Sequence, residues 1–210
     1  MDRLQAAQIK EMLYYVADAV IDAKPLLTEV DSAVGDGDHG IGMEVGFKKA
    51  KEKLSESDTN DVYEIFRLVG KAMLMSMGGA SGVIFGSMFL EGAKRQEPAD
   101  SISAYEFALL FRHSLLAIQN RGKAQVGDKT MVDALAPAVE AMDETAPQGF
   151  SAMLDSAERA AKGGVERTKN YEAKFGRSKT QSTTIGYQDA GATSVWVIFK
   201  AMNDYIQRQK

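Results

Sequence analysis

The chain has 210 residues, 45% apolar and 26% charged, with a formal net charge of −4 and no cysteine. That length can bury a substantial core without staples, and the composition is that of an ordinary globular protein, so a single domain over residues 1–210 is expected. Disulfides, thiolate metal sites and thiol nucleophiles are excluded. The acidic balance argues against a nucleic-acid partner. The missing apolar h-region at Met1-Asp2-Arg3-Leu4-Gln5 and the absence of an 18-residue apolar run argue against secretion and a membrane span, leaving the cytoplasm as the expected compartment.

Taken in order, Ile9, Met12, Leu13, Val16 and Val20 recur at three- and four-residue steps and predict a helix that stops before Pro25. Next comes Asp31-Ser32-Ala33-Val34-Gly35-Asp36-Gly37-Asp38-His39-Gly40-Ile41-Gly42, with three carboxylates interleaved with glycines. Acids crowded onto a turn repel one another unless a cation neutralises them, and an all-oxygen set suits a hard ion such as Mg²⁺ or Ca²⁺. Counting from Asp36, position 12 is Phe47 where an EF-hand needs Glu, so that reading fails. The G-x-G-x-x-G match of Gly35, Gly37 and Gly40 lacks a βαβ context and is no dinucleotide fingerprint. The segment is read as a metal site that holds phosphate. His39 beside it is as consistent with a structural hydrogen bond as with catalysis, and His113, within a helix, reads as structural. Two histidines make a zinc site a poor fit.

A polar-faced helix is predicted from about Met43 to Leu54, and an amphipathic one from Asp61 to Met77 through Val62, Ile65, Phe66, Val69 and Met73. Gly78-Gly79-Ala80-Ser81-Gly82 breaks the pattern before an apolar, buried helix from Val83 to Ala93; small residues at a helix start suit phosphate oxygens or tight packing equally. Met73, Met75, Met77 and Met88 read as core fillers. Ser103 and Glu106 form a capping box for a helix through Ile118. The polar connection Gly122 to Lys129 resembles a Walker A loop, but Asp128 is inserted and no strand precedes it, so it is rejected as one. Helices follow over Thr130 to Met142, Ser151 to Thr168 (weakened at Gly163-Gly164) and Thr193 to Gln209, with an aperiodic segment over residues 169–190 that carries Gly176-Arg177 and Gln188-Asp189-Ala190-Gly191-Ala192-Thr193. Arg177 suits a phosphate, and Asp189 a helix cap or a ribose. The sum is an all-α protein of roughly eight helices, antiparallel between neighbours, without strands. Glycine-bearing loops on alternate connections of such a bundle gather at one end.

Four ordered motifs carry a family resemblance over nearly the whole chain: Asp31…Gly35-Asp36-Gly37-Asp38-His39-Gly40; Gly78 to Gly82; Arg121-Gly122-Lys123…Gly127-Asp128-Lys129-Thr130-Met131; and Gln188 to Ser194. In these the sequence resembles the L subunit of dihydroxyacetone kinase. The resemblance implies an eight-helix antiparallel barrel with ADP or ATP at one end, and two Mg²⁺ on Asp31, Asp36 and Asp38. His39, Gly40, Ile41 and Gly42, with Ala80 and Ser81, would line the phosphate and sugar region. Gly122 and Met131 would flank the nucleotide, Arg177 would reach towards it, and Asp189, Ala190 and Gly191 would complete the pocket. Two positions depart from the family's pattern: Gly42 stands where Asn is frequent, and Ala190 where Pro is frequent. The resemblance also implies a separate K subunit that holds dihydroxyacetone covalently. A phosphohistidine M subunit would recharge the nucleotide, a transcription regulator is a further partner, and the assembly would be a homodimer or hetero-oligomer. The alternatives are a subunit using exchangeable ATP on a ketose, and a nucleotide-bound regulatory module.

Overall fold

The computed structural model describes residues 1–180 and 183–209; Gln181 and Ser182, inside the aperiodic segment, lie outside the described residues. Among the described residues there are nine α-helices: α1 (Ala6–Asp22), α2 (Lys24–Ser32), α3 (His39–Ser55), α4 (Val62–Ser76), α5 (Gly79–Leu90), α6 (Ala104–Gly122), α7 (Val132–Thr145), α8 (Phe150–Thr168) and α9 (Ala190–Arg208). Two three-residue strands, β1 (Arg3–Gln5) and β2 (Ser101–Ser103), pair antiparallel with Leu4 opposite Ile102. The expectation of a strand-free chain is corrected at this point. Each strand is too short to alternate visibly, yet Leu4 and Ile102 are both fully buried and pin the N-terminus beside the start of α6.

The helix missing from the sequence reading is α2. α1 ends at Asp22, before Pro25 as expected, and Pro25 then occupies the first turn of α2, where a missing N–H costs nothing. Asp31 therefore sits in the last turn of a helix, and α3 begins at His39, so only the stretch between Ser32 and His39 is non-helical. Likewise Gly79 to Gly82 do not break the chain; they are the first turn of α5.

Helix ends follow side-chain chemistry. Asp61 caps α4 by accepting from the N–H groups of Tyr63 and Glu64, and the Ser103–Glu106 box opens α6 as expected. Pro137 lies inside α7 and cannot donate to the carbonyl of Asp133. Gly164 of α8 packs against that carbonyl, where a Cβ would come within 2.2 Å of the oxygen. The glycine read as a weakness in α8 is thus where α7 and α8 approach most closely.

Packing neighbours run in a closed cycle, α1–α3–α4–α5–α6–α7–α8–α9 and back to α1, with α2 against α3 and α9. A cycle of this kind is what an eight-helix barrel requires. Its interior is aromatic: Phe66 of α4 meets Phe89, Phe107 and Phe111 at ring-centre distances of 6.5, 5.8 and 6.2 Å, and Phe150 and Phe199 extend the cluster at 5.4 Å each. These rings are fully buried, and such contacts outweigh local helix propensity in fixing the fold. Met73, Met77 and Met88 join this core, but Met75 does not; it is 86% exposed on the far face of α4. His113 is exposed on α6. No described helix is long and apolar enough to cross a membrane.

Candidate functional site

The acidic segment is built by the junction of α2 and α3. Asp31 projects from the end of α2, and its Oδ2 accepts from the backbone N–H of His39 at 3.2 Å, folding the connection back on itself. Asp36 and Asp38 follow on the exposed turn, and one carboxylate oxygen from each of Asp31, Asp36 and Asp38 falls within 4.8 Å of the others. Three carboxylates at that separation form a hard, all-oxygen donor set open to solvent, which fits magnesium in charge and chemistry. Arg177 of the 3-10 turn Arg177–Thr180 lies against Asp36 and Asp38 and offsets part of their charge.

At two helix N-termini, α3 starting at His39 and α5 starting at Gly79, the N-cap residue makes no side-chain cap, and in α3 Asp31 takes the first N–H, that of His39. Unpaired N–H groups with a positive helix end are suited to phosphate oxygens. They are linked through Met77, whose side chain approaches Gly42 and Gly46 of α3 just before the chain turns into α5. His39 itself turns inward. It is 8% exposed, its Nε2 lies 2.8 Å from Ser194 Oγ in α9, and its ring centre is 5.8 Å from that of Phe85. Burial holds its pKa below the usual histidine value, against the opposing pull of Asp31, so the ring is neutral and structural.

Ala80 and Gly122 both line an apolar cavity of about 260 Å³ between α5 and α6, together with Val83, Ile84, Ser87 and Ile118. Its size and lining suit a flat heteroaromatic ring. Arg121, at the rim, donates to Ser87 Oγ at 3.2 Å. Ser81 is half-buried on the first turn of α5, and Ile41 is exposed on the first turn of α3.

The fourth motif closes the end. Asp189 caps α9, its Oδ2 accepting from Ala192 N–H at 2.7 Å. The residue is half-buried, but protein packs round the carboxyl, and desolvation, strengthened by Asp133 and Asp31, pushes its pKa up to about 7. Ala190 is buried, and a Cβ on Gly191 would sit 3.3 Å from the backbone nitrogen of Met131, so the third and fourth motifs are in contact.

Sequence reasoning left Asp133, Asp128, Lys129 and Ser194 without roles. Asp133 accepts from Gly127 N–H at 2.6 Å and Thr130 N–H at 2.7 Å, shaping the connection into α7. Asp128 accepts from Gln125 N–H and pairs with Lys174, which holds its carboxyl below the usual range. The signal was present in Gly127-Asp128-Lys129-Thr130, but a charged run in a connection reads as solvated, whereas Asp128 and Lys129 are buried.

A family model described as DAK2 domain matches residues 33–204. The chain is 35% identical over 202 residues to the Escherichia coli K12 PEP-dependent dihydroxyacetone kinase, ADP-binding subunit DhaL, covering 95% of this chain and 96% of that one. It is 33% identical over 186 residues to the corresponding subunit of PEP-dependent dihydroxyacetone kinase 1 from Listeria innocua, covering 88% and 89%. Among solved structures, the dihydroxyacetone kinase from C. freundii in complex with AMP-PNP and Mg²⁺ matches with a TM-score of 0.73 and 26% identity over 94% of this chain. This chain spans 34% of that longer one. With its helical fold and its acidic end in place, the chain belongs to the DAK2 domain family.

Proposed function

We propose that this chain is the ADP- and Mg²⁺-binding subunit of a dihydroxyacetone kinase, acting on dihydroxyacetone held by a separate K subunit. The observation that carries this is the convergence of Asp31, Asp36 and Asp38 within 4.8 Å beside the start of α3, whose N-cap residue, like that of α5, makes no side-chain cap. The full-length similarity to subunits named as ADP-binding supports it.

In this reading Asp31, Asp36 and Asp38 hold two magnesium ions. When bound, the metal supplies charge neutralisation of phosphate oxygens and alignment for in-line transfer. The rest falls to the chain's own groups. N–H groups of Gly40 and Ile41 and of Ala80 and Ser81 donate to phosphate oxygens at the starts of α3 and α5, while those of His39 and Gly42 are taken by Asp31 and Asp38 and shape the turn. Val83, Ile84 and Ile118, with Gly122, enclose the base and exclude water from one face. Arg177, now against Asp36 and Asp38, is placed to stabilise charge on the transferring group. Met131 and the Asp189–Gly191 turn wall the remaining side. His39, neutral and bonded to Ser194, orients the first turn of α3 and takes no part in proton transfer.

A phosphohistidine M subunit that recharges the nucleotide in place is the donor favoured by relatives named as PEP-dependent. The second reading, direct use of exchangeable ATP, is favoured by the C. freundii complex with the ATP analogue AMP-PNP. The test is reconstitution with K and M partners and dihydroxyacetone, given phosphoenolpyruvate or ATP. Product from phosphoenolpyruvate, with ADP retained through gel filtration, supports the first; product from ATP alone supports the second. No product from either donor refutes the kinase reading.

A further inference from the structure

Lys129 is 2% exposed and, among the described residues, carries no direct carboxylate partner. Its backbone adopts φ +58°, a left-handed conformation that non-glycine residues hold only where the surroundings impose it. The side chain runs inward, and its ammonium donates to two main-chain carbonyls, Thr168 O at 2.7 Å and Tyr187 O at 2.5 Å. Thr168 ends α8, and Tyr187 stands two residues before the Asp189 cap of α9. One ammonium thus spans the two ends of the long connection that carries Arg177.

Neighbouring bonds tie the same junction. Thr168 Oγ1 accepts from Asp189 N–H at 2.9 Å, and Lys169 O accepts from Gly186 N–H at 2.7 Å. Asp128 holds the outgoing arm through Lys174, accepting from its Nζ at 2.6 Å and its backbone N–H at 3.2 Å. Asp189 and Asp133 face the ammonium from two other elements and favour its charged form against burial. A buried ammonium is costly, and an apolar side chain would orphan both carbonyls. The arrangement suits positioning: two of the three ammonium hydrogens go to main-chain carbonyls, and Thr168 Oγ1 donates its one hydrogen to Val165 O at 2.6 Å while accepting from Asp189 N–H.

We propose that Lys129 and Thr168 are positioning residues that close the base of the 169–189 connection and so fix where Arg177 stands at the phosphate end. The proposal rests on the kinase reading for its effect on transfer, while the closure itself is read without nucleotide.

The experiment compares wild type, Lys129→Met, Arg177→Ala and the double variant. Hydrogen exchange of the metal-free, nucleotide-free chain should show lost protection at Lys174, Gly186 and Asp189 in Lys129→Met, with α4 and α5 amides unchanged. Phosphoryl transfer with the K partner should fall by about 10²-fold, the scale of a small misplacement, with ADP affinity changing by less than about threefold. The double variant should be no slower than Arg177→Ala alone, because Lys129 acts through Arg177. Where Lys129→Met does not fold, Thr168→Val carries the test: it cuts the same closure at one hydrogen bond and should lower transfer about tenfold with ADP affinity kept. Unchanged exchange at Gly186 and Asp189, wild-type turnover in the folded variant, or multiplied losses in the double variant would overturn the proposal. A wild-type chain that neither binds ADP with magnesium nor supports transfer would refute the kinase reading instead, and the exchange result would still decide the closure.

Discussion

His39 Nε2 and Ser194 Oγ lie 2.8 Å apart across 155 positions of sequence, joining the first turn of α3 to the second turn of α9. Both residues are buried, so neither atom has water as a substitute partner. Ser194→Ala should cost about 1–3 kcal/mol, the penalty of leaving a buried polar group unpaired. Urea unfolding of the metal-free protein checks this; a loss below about 0.5 kcal/mol would mean that the bond does not hold α3 against α9.

Gly40 and Gly42 separate steric need from open space on one helix turn. A Cβ on Gly40 would lie 2.3 Å from Thr28 Oγ1 and 2.6 Å from Lys24 O, so α2 can pass only over a glycine. At Gly42 the nearest atom is the Met77 methyl at 4.0 Å. Gly40→Ala should destabilise by about 1–3 kcal/mol and displace Asp31 from the other two acids, whereas Gly42→Ala should leave stability unchanged or slightly raised. Thermal melts with and without magnesium read both; equal behaviour of the two variants would contradict the geometry.

The elements most legible in the sequence are those whose apolar stripe is long. Val62, Ile65, Phe66, Val69 and Met73 gave α4 its face, and all are buried. Ser103 with Glu106 marked the start of α6 because the capping box is a local device. The convergence of the three aspartates was legible because acids interleaved with glycines on one short turn are held close together. What escaped was set by distant partners. Pro25 opens a further helix, α2, Leu4 finds Ile102 nearly a hundred residues away, and Lys129 is drawn inside by carbonyls of Thr168 and Tyr187. Met75 shows the converse: two residues from Met73 and from Met77, roughly half a turn round the helix, it faces away from the core.

Asp189 gives the protein a pH signature. Its pKa is raised from about 3.8 to about 7, chiefly by desolvation, so between those values the folded state binds a proton that the unfolded state has released. Its contribution is complete below about pH 3.8 and is lost as pH rises towards 7. Asp189→Asn keeps a side-chain oxygen for Ala192 N–H without the charge. The variant should gain stability over wild type as pH climbs from 4 to 8, read as a difference in denaturant midpoints. A constant difference across that range would contradict the shift.

Arg177 faces Asp36 and Asp38 with its side chain largely exposed, so in the proposed kinase it would act on the transfer step rather than on the fold. Arg177→Ala should lower transfer by about 10²–10³-fold, with the thermal midpoint of the metal-free chain unchanged or nearly so. Steady-state kinetics with the K partner, beside a melt, check it. A variant that unfolds early, or turns over normally, would remove Arg177 from the site.

Calorimetric titration of ADP into the chain, with magnesium and then with chelator, tests the central claim most directly. If Asp31, Asp36 and Asp38 accept a polyphosphate only across bridging cations, ADP should bind with magnesium and fail to bind without it, and Asp36→Ala with Asp38→Ala should abolish the difference by removing the metal-dependent binding. Equal ADP affinity in chelator and in magnesium, in the unaltered chain, would contradict the account.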